Sequence, residues 1–121
     1  MRKGRRDYAR LPFIMLAKEM LFKCPEWCAL SSGARDVYLL LKGKYNGSNN
    51  GQIRLYYTDI KKLKISGLRS DKAISRAFHE LESGGWTERT KLGGLHRFIN
   101  EYRLTAKYDR FIRESTGHGR L

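Results

Sequence analysis

The run Ser70-Asp71-Lys72-Ala73-Ile74-Ser75-Arg76-Ala77-Phe78-His79-Glu80-Leu81-Glu82-Ser83-Gly84-Gly85-Trp86 carries the clearest helical signature in this 121-residue chain. Ser70 is a good N-cap, and Asp71 suits the positive end of a helix dipole. Ala73, Ile74, Ala77, Phe78 and Leu81 recur at helical spacing and form one apolar face. Gly84-Gly85 ends the helix. At about 100° per residue the opposite face presents Lys72, Ser75, Arg76, His79 and Ser83, with Glu80 and Glu82 toward its borders. The segment 70–83 is slightly acidic, at −1, yet its acids stay away from the centre of the exposed face.

Upstream, Gly67 breaks the chain after a short basic helix in which Ile60 and Leu63 alternate with Lys61, Lys62 and Lys64. Before that helix stands a short β segment, Gln52-Ile53-Arg54-Leu55, reached through the turn-forming cluster Asn46-Gly47-Ser48-Asn49-Asn50-Gly51. A further helix opens on Ser31 as N-cap and carries Ala34, Val37, Tyr38, Leu41 and Tyr45 as one buried stripe. Downstream, residues 86–105 read as a β-hairpin turning at Gly93-Gly94, with Phe98, Tyr102 and Leu104 on one side of the return strand. Arg89, Lys91, His96 and Arg97 gather near its tip, where a surface role is expected.

Helix, short strand, short helix, turn, amphipathic helix and hairpin follow the order of a winged helix-turn-helix, and residues 31–105 resemble that superfamily. The residues that carry the likeness are Ser31 to Leu41, Tyr45-Asn46-Gly47 to Ile53, Ser75 to Trp86 and Asn100-Glu101-Tyr102-Arg103-Leu104-Thr105. More narrowly, the chain looks like winged-helix domains of bacterial and prophage replication-initiator-like or regulatory proteins. The turn from Lys64 to Ser70 is longer than that of a classical helix-turn-helix. The expected class is therefore α+β, a three-helix core plus a β-hairpin wing with an N-terminal basic arm. Residues 1–10 form the flexible basic arm, 11–105 the winged helix domain, and 106–121 a C-terminal tail or a short helix packed through Tyr108, Phe111 and Ile112.

The resemblance implies double-stranded DNA binding in transcription regulation or replication initiation, with helix 70–83 in the major groove and the wing on the backbone or minor groove. Lys72 and Arg76 would donate to guanine edges, Ser75 and His79 would reach bases or phosphates, and the helix start at Ser70 would hold a phosphate oxygen. Lys61, Lys62, Lys64 and Arg69 would contact flanking phosphates. Arg89, Lys91, His96 and Arg97 would serve the wing, and Arg2, Lys3, Arg5 and Arg6 would lie along the adjacent backbone or minor groove.

The charge distribution fits this expectation. Of a net +13, residues 1–10 hold +4, residues 11–40 hold none, residues 41–70 hold +6 and residues 71–121 hold +3. Forty per cent hydrophobic residues argue against wholesale disorder. The apolar run from Leu11 to Ala17 is broken by Pro12 and is far too short to span a bilayer, and no secretory signal follows Met1, so a cytoplasmic, nucleoid-associated location is expected.

Residues 11–30 read mostly as core material, and Cys24 and Cys28 as thiols without the further ligands a metal site needs. No catalytic motif has the required spacing and no cofactor is implied, so a non-enzyme is expected. Two alternatives remain: an RNA-binding or ribosome-associated basic protein, with Tyr56, Tyr57, Phe98 or His96 stacking on bases, and a winged helix used for protein contacts. The aromatic residues of 11–30 and of 108–112 serve either a homodimer interface or the monomer's own core.

Overall fold

A computed structural model describes residues 12–91 and 100–113. Within them the chain is α+β: five helices and one two-stranded antiparallel hairpin. In order they are α1 (Lys18–Lys23), α2 (Pro25–Cys28), α3 (Ser32–Lys44), α4 (Tyr57–Lys62), α5 (Asp71–Ser83), β1 (Thr87–Lys91) and β2 (Glu101–Leu104).

The two long helices begin alike. Ser31 Oγ accepts from the Ala34 amide at 3.2 Å, and Ser70 Oγ accepts from the Ala73 amide at 3.1 Å, so each serine satisfies one of the N–H groups a helix start leaves open. Each buries most of the stripe its spacing announced, Ala34, Val37, Tyr38 and Leu41 on α3 and Ile74, Ala77, Phe78 and Leu81 on α5, while Tyr45 and Ala73 are half-buried. These faces meet, and Gly33 lies at their crossing. A Cβ added there would stand 3.4 Å from the Leu68 side chain and 4.0 Å from that of Ala77. After α5, Gly85 takes a φ of +83°, and the Trp86 amide donates back to Leu81 O at 3.0 Å. This left-handed glycine turns the chain directly into the hairpin.

The core has two aromatic centres. Trp27, Tyr38 and Trp86 meet edge to face with ring centroids 5.4–5.7 Å apart, and Tyr108 lies on Trp86 at 4.5 Å. On the other side Phe78 is stacked between Tyr57 at 5.9 Å and Tyr102 at 4.6 Å, joining α4, α5 and β2. Offset and edge-on pairs of this kind add to the burial they accompany.

In β1 only Thr87 is buried and the rest of the strand is exposed, whereas β2 stays against the core through Glu101, Tyr102 and Leu104. Its register pairs Thr87 with Leu104 and Arg89 with Tyr102, with a bulge between Arg89 and Lys91. Of the hairpin residues identified by sequence, Gly93, Gly94, His96, Arg97 and Phe98 lie outside the described residues.

Two expectations need correction. The segment Gln52 to Leu55 forms no strand of its own. Ile53 makes one bridge to Tyr102, with N···O distances of 3.1 and 2.9 Å, before the chain bends into α4. Residues 12–30, read as mostly core, divide about evenly among their large apolar side chains. Met20, Trp27 and Leu30 are buried, whereas Phe13, Ile14, Met15 and Phe22 are exposed. Leu63, beside the short basic helix, is exposed as well, and Leu68 fills the core beneath the α4–α5 connection. Of the two readings left open for residues 106–121, a tail or a short helix, residues 106–113 form no helix: Tyr108 and Ile112 pack inward, and Phe111 does not.

Candidate nucleic-acid interface

α5 is fixed between α3, α4 and the hairpin, so its outer face points away from the core by geometry. That face carries Lys72, Ser75, Arg76, His79 and Ser83, all exposed. None of the first four side chains makes a hydrogen bond or ion pair among the described residues.

The three acids of α5 are each committed elsewhere. Asp71 accepts from Lys61 Nζ at 2.7 Å, linking the start of α5 to α4. The Glu80 carboxylate accepts from the Ser31 amide at 2.8 Å and from the Ser31 hydroxyl at 2.7 Å. Glu82 accepts from the Arg89 guanidinium at 3.0 Å, linking α5 to β1. The carboxylates are thus held at the borders of the helix by neighbours, and the centre of its outer face is left to cations and neutral donors.

Around α5 the other expected residues divide by role. Lys62 is exposed and unpaired among the described residues. Lys61 and Arg89 are exposed enough to bind an anion, but each already holds an acid of α5, and such exposed pairs are weak. The Arg89 guanidinium also stands 5.9 Å from the centre of the Tyr102 ring. Lys64 is not in α4 but just past its end, with a left-handed φ of 55°, and its carbonyl accepts from the Arg69 guanidinium at 3.3 Å. This contact ties the Arg69 side chain to the backbone of the connection just before the α5 N-terminus. Lys91 ends β1 on an exposed site. Arg2, Lys3, Arg5, Arg6, His96 and Arg97 lie outside the described residues.

Of the aromatic residues considered for base stacking, Tyr57 is engaged with Phe78, and Tyr56 is exposed. No group of three or more His, Cys, Asp or Glu among the described residues is arranged to hold a metal. Cys24 and Cys28 are both free thiols. No helix among the described residues is long and apolar enough to cross a membrane.

A charged cluster inside the fold had escaped the sequence. Lys42 Nζ donates to Asp109 Oδ2 at 2.8 Å and to Met15 O at 2.5 Å, and Tyr38 Oη donates to the same Asp109 oxygen at 2.6 Å. Both ends of the ion pair are buried. Burial, reinforced by the neighbouring carboxylate, pushes the Tyr38 phenol well above its usual value. The only hint in the sequence was a lysine four positions after Tyr38, on the edge of the α3 stripe.

No protein-family profile, curated protein or solved structure matches the chain.

Proposed function

We propose that the chain binds double-stranded DNA, sequence-specifically or semi-specifically, as a winged helix acting in transcription regulation or replication initiation. In this reading α5 enters the major groove, the hairpin touches the backbone or minor groove, and the basic arm of residues 1–10 follows the adjacent backbone.

The observation that carries the reading is the sorting of charge on α5. A generic solvated helix mixes both signs on its outer face. Here all three acids are drawn to the helix borders by Lys61, Ser31 and Arg89, while Lys72 and Arg76 stand unopposed beside Ser75 and His79. Arginine is suited to bidentate contact with guanine, and serine and histidine to phosphate or base edges. Lys62, Lys64 and Arg69 extend the same surface along the α4–α5 connection, where contacts set position and affinity rather than sequence. The overall charge of +13 adds long-range attraction to a polyanion.

The direct test is a titration of fluorescently labelled random-sequence duplex with the wild type and with the Lys72→Glu/Arg76→Glu variant. Each lost contact is worth about 1–3 kcal/mol, so binding should weaken by about 30-fold or more with the far-UV spectrum intact. Unchanged affinity in a folded variant would overturn the reading. Competition by single-stranded and duplex RNA at the same salt separates DNA from RNA as the partner.

A further inference from the structure

On the far side of α3 from α5 lies a cleft of about 640 Å³ whose walls include Phe13, Ile14, Met15 and Phe111, with Lys42 and Arg113 among them. We propose that this cleft docks a short segment of a partner protein that combines acidic residues with apolar anchors.

Three observations converge on that occupant. Of the seven large apolar side chains exposed among the described residues, four line this one cleft, with Phe13 74% and Met15 49% exposed. Scattered exposed apolar residues are ordinary, but a concentration around a concavity marks a contact surface. The second observation is charge. Among its lining residues Lys42 is already neutralised by Asp109, which leaves Arg113 as the cation free to meet an occupant, and no aspartate or glutamate lines the cleft. A second copy of this chain, at +13, would meet like charge there, whereas an acidic segment would be attracted.

The third is how the walls are built. Lys42 holds the strap carrying Phe13 to Met15 through Met15 O, and it holds the turn carrying Phe111 and Arg113 through Asp109. Asp109 Oδ1 accepts from the Phe111 amide at 3.0 Å, and Tyr45 Oη accepts from the Arg113 amide at 2.9 Å. A buried ion pair is a poor source of stability compared with apolar packing. Here it brings the two ends of the described chain together as opposite walls of one groove.

Position separates this surface from the proposed DNA face. Lys42 follows Gly33 by nine residues, about half a turn away around the helix axis, and Gly33 faces α5. The two surfaces therefore lie on opposite sides of α3, and a partner docked in the cleft leaves α5 open.

The test is selection of peptides from a displayed random 12-residue library on the full-length chain at moderate salt, followed by titration of the selected peptides. Because the protein is basic, acidic enrichment alone decides nothing. Two variants do. Phe13→Ser/Phe111→Ser removes apolar anchors without touching any charge, and it should weaken the peptides at least tenfold. Arg113→Glu keeps the backbone bonds of Arg113 and should weaken acidic peptides while sparing their amide analogues. Duplex DNA affinity should be unchanged in the first variant, so the DNA reading stands or falls separately.

Equal peptide binding by Phe13→Ser/Phe111→Ser would mean general charge attraction and overturn the proposal. So would a dimer, seen by sedimentation, that the same variant dissolves, because the occupant would then be a second copy. Peptide binding that emerges only after deletion of residues 114–121 would assign the cleft to the chain's own end and also overturn it.

Discussion

Glu80 on α5 closes over the first residue before α3, accepting both the amide and the hydroxyl of Ser31 while Ser31 itself caps α3 through the Ala34 amide. One carboxylate thereby satisfies an open helix terminus and fixes the approach of the two main helices. It also places negative charge at the positive end of the α3 dipole. Glu80→Ala should destabilise the fold by about 1–3 kcal/mol, the range for a hydrogen bond to a charged group together with the donors it leaves open. Urea denaturation of the variant checks this, and Glu80→Gln should recover part of the loss because its amide oxygen still accepts.

Removing one partner of the buried Lys42–Asp109 pair leaves a charge without compensation. Lys42→Met or Asp109→Leu alone should cost about 3–5 kcal/mol, whereas the double replacement should cost much less than the sum. A double-mutant cycle measured by denaturation gives the coupling. Additive losses would show that the pair does not act as a unit.

Stability should fall on the alkaline side. Burial pushes the Tyr102 phenol up to about 12, and burial beside Asp109 raises that of Tyr38 further. An unfolded tyrosine ionises near about 10. The folded state thus keeps these phenols protonated after the unfolded chain has begun to lose its protons. The stabilisation is fully present below about pH 10 and is lost as pH rises toward the folded values. Denaturation midpoints at a series of alkaline pH values check the slope, which Tyr102→Phe should flatten.

If six to ten phosphates are neutralised on binding, duplex affinity should fall by roughly 10³- to 10⁵-fold between about 50 and 200 mM salt. Lys62→Ala should lower the slope by about one counterion and weaken all sequences alike. An affinity insensitive to salt would remove the electrostatic basis of the DNA reading.

The same substitution at two glycines should have opposite signs. Gly43 lies within α3 with nothing within 4 Å of an added Cβ, so Gly43→Ala should stabilise by about 0.5–1 kcal/mol through helix propensity. Gly67 has an equally open site but a φ of +87°, and Gly67→Ala should destabilise by about 1–2 kcal/mol. Thermal unfolding of both variants distinguishes conformational strain from steric crowding, since neither site is crowded.

The two long helices were legible because cap, stripe and terminating glycine all lie within a few residues of each other. The outer face of α5 could be read in the same way, since helical spacing alone puts Lys72, Ser75, Arg76 and His79 together. Contacts between distant parts of the chain could not. Lys42 and Asp109 are 67 residues apart, and a lysine at the edge of an apolar stripe reads equally well as solvated. Nor does apolar character reveal which way a side chain faces in an irregular segment or a single helical turn. Phe13 and Trp27 are alike in composition, yet one stands in the open and the other in the aromatic core.

Asn50 turns its side-chain amide on the outer edge of β2, donating to Leu104 O at 2.9 Å and accepting from Leu104 N at 2.8 Å. Two residues earlier on that edge, Ile53 occupies both backbone groups of Tyr102. Between them, a primary amide and a single bridge do the work of a third strand. The β2 edge plugged in this way offers no template to a passing chain, while the exposed part of β1 carries the charged side chains of Glu88, Arg89 and Lys91. β2 therefore keeps Tyr102 and Leu104 in the core with its far edge already occupied, and no further strand can pair there.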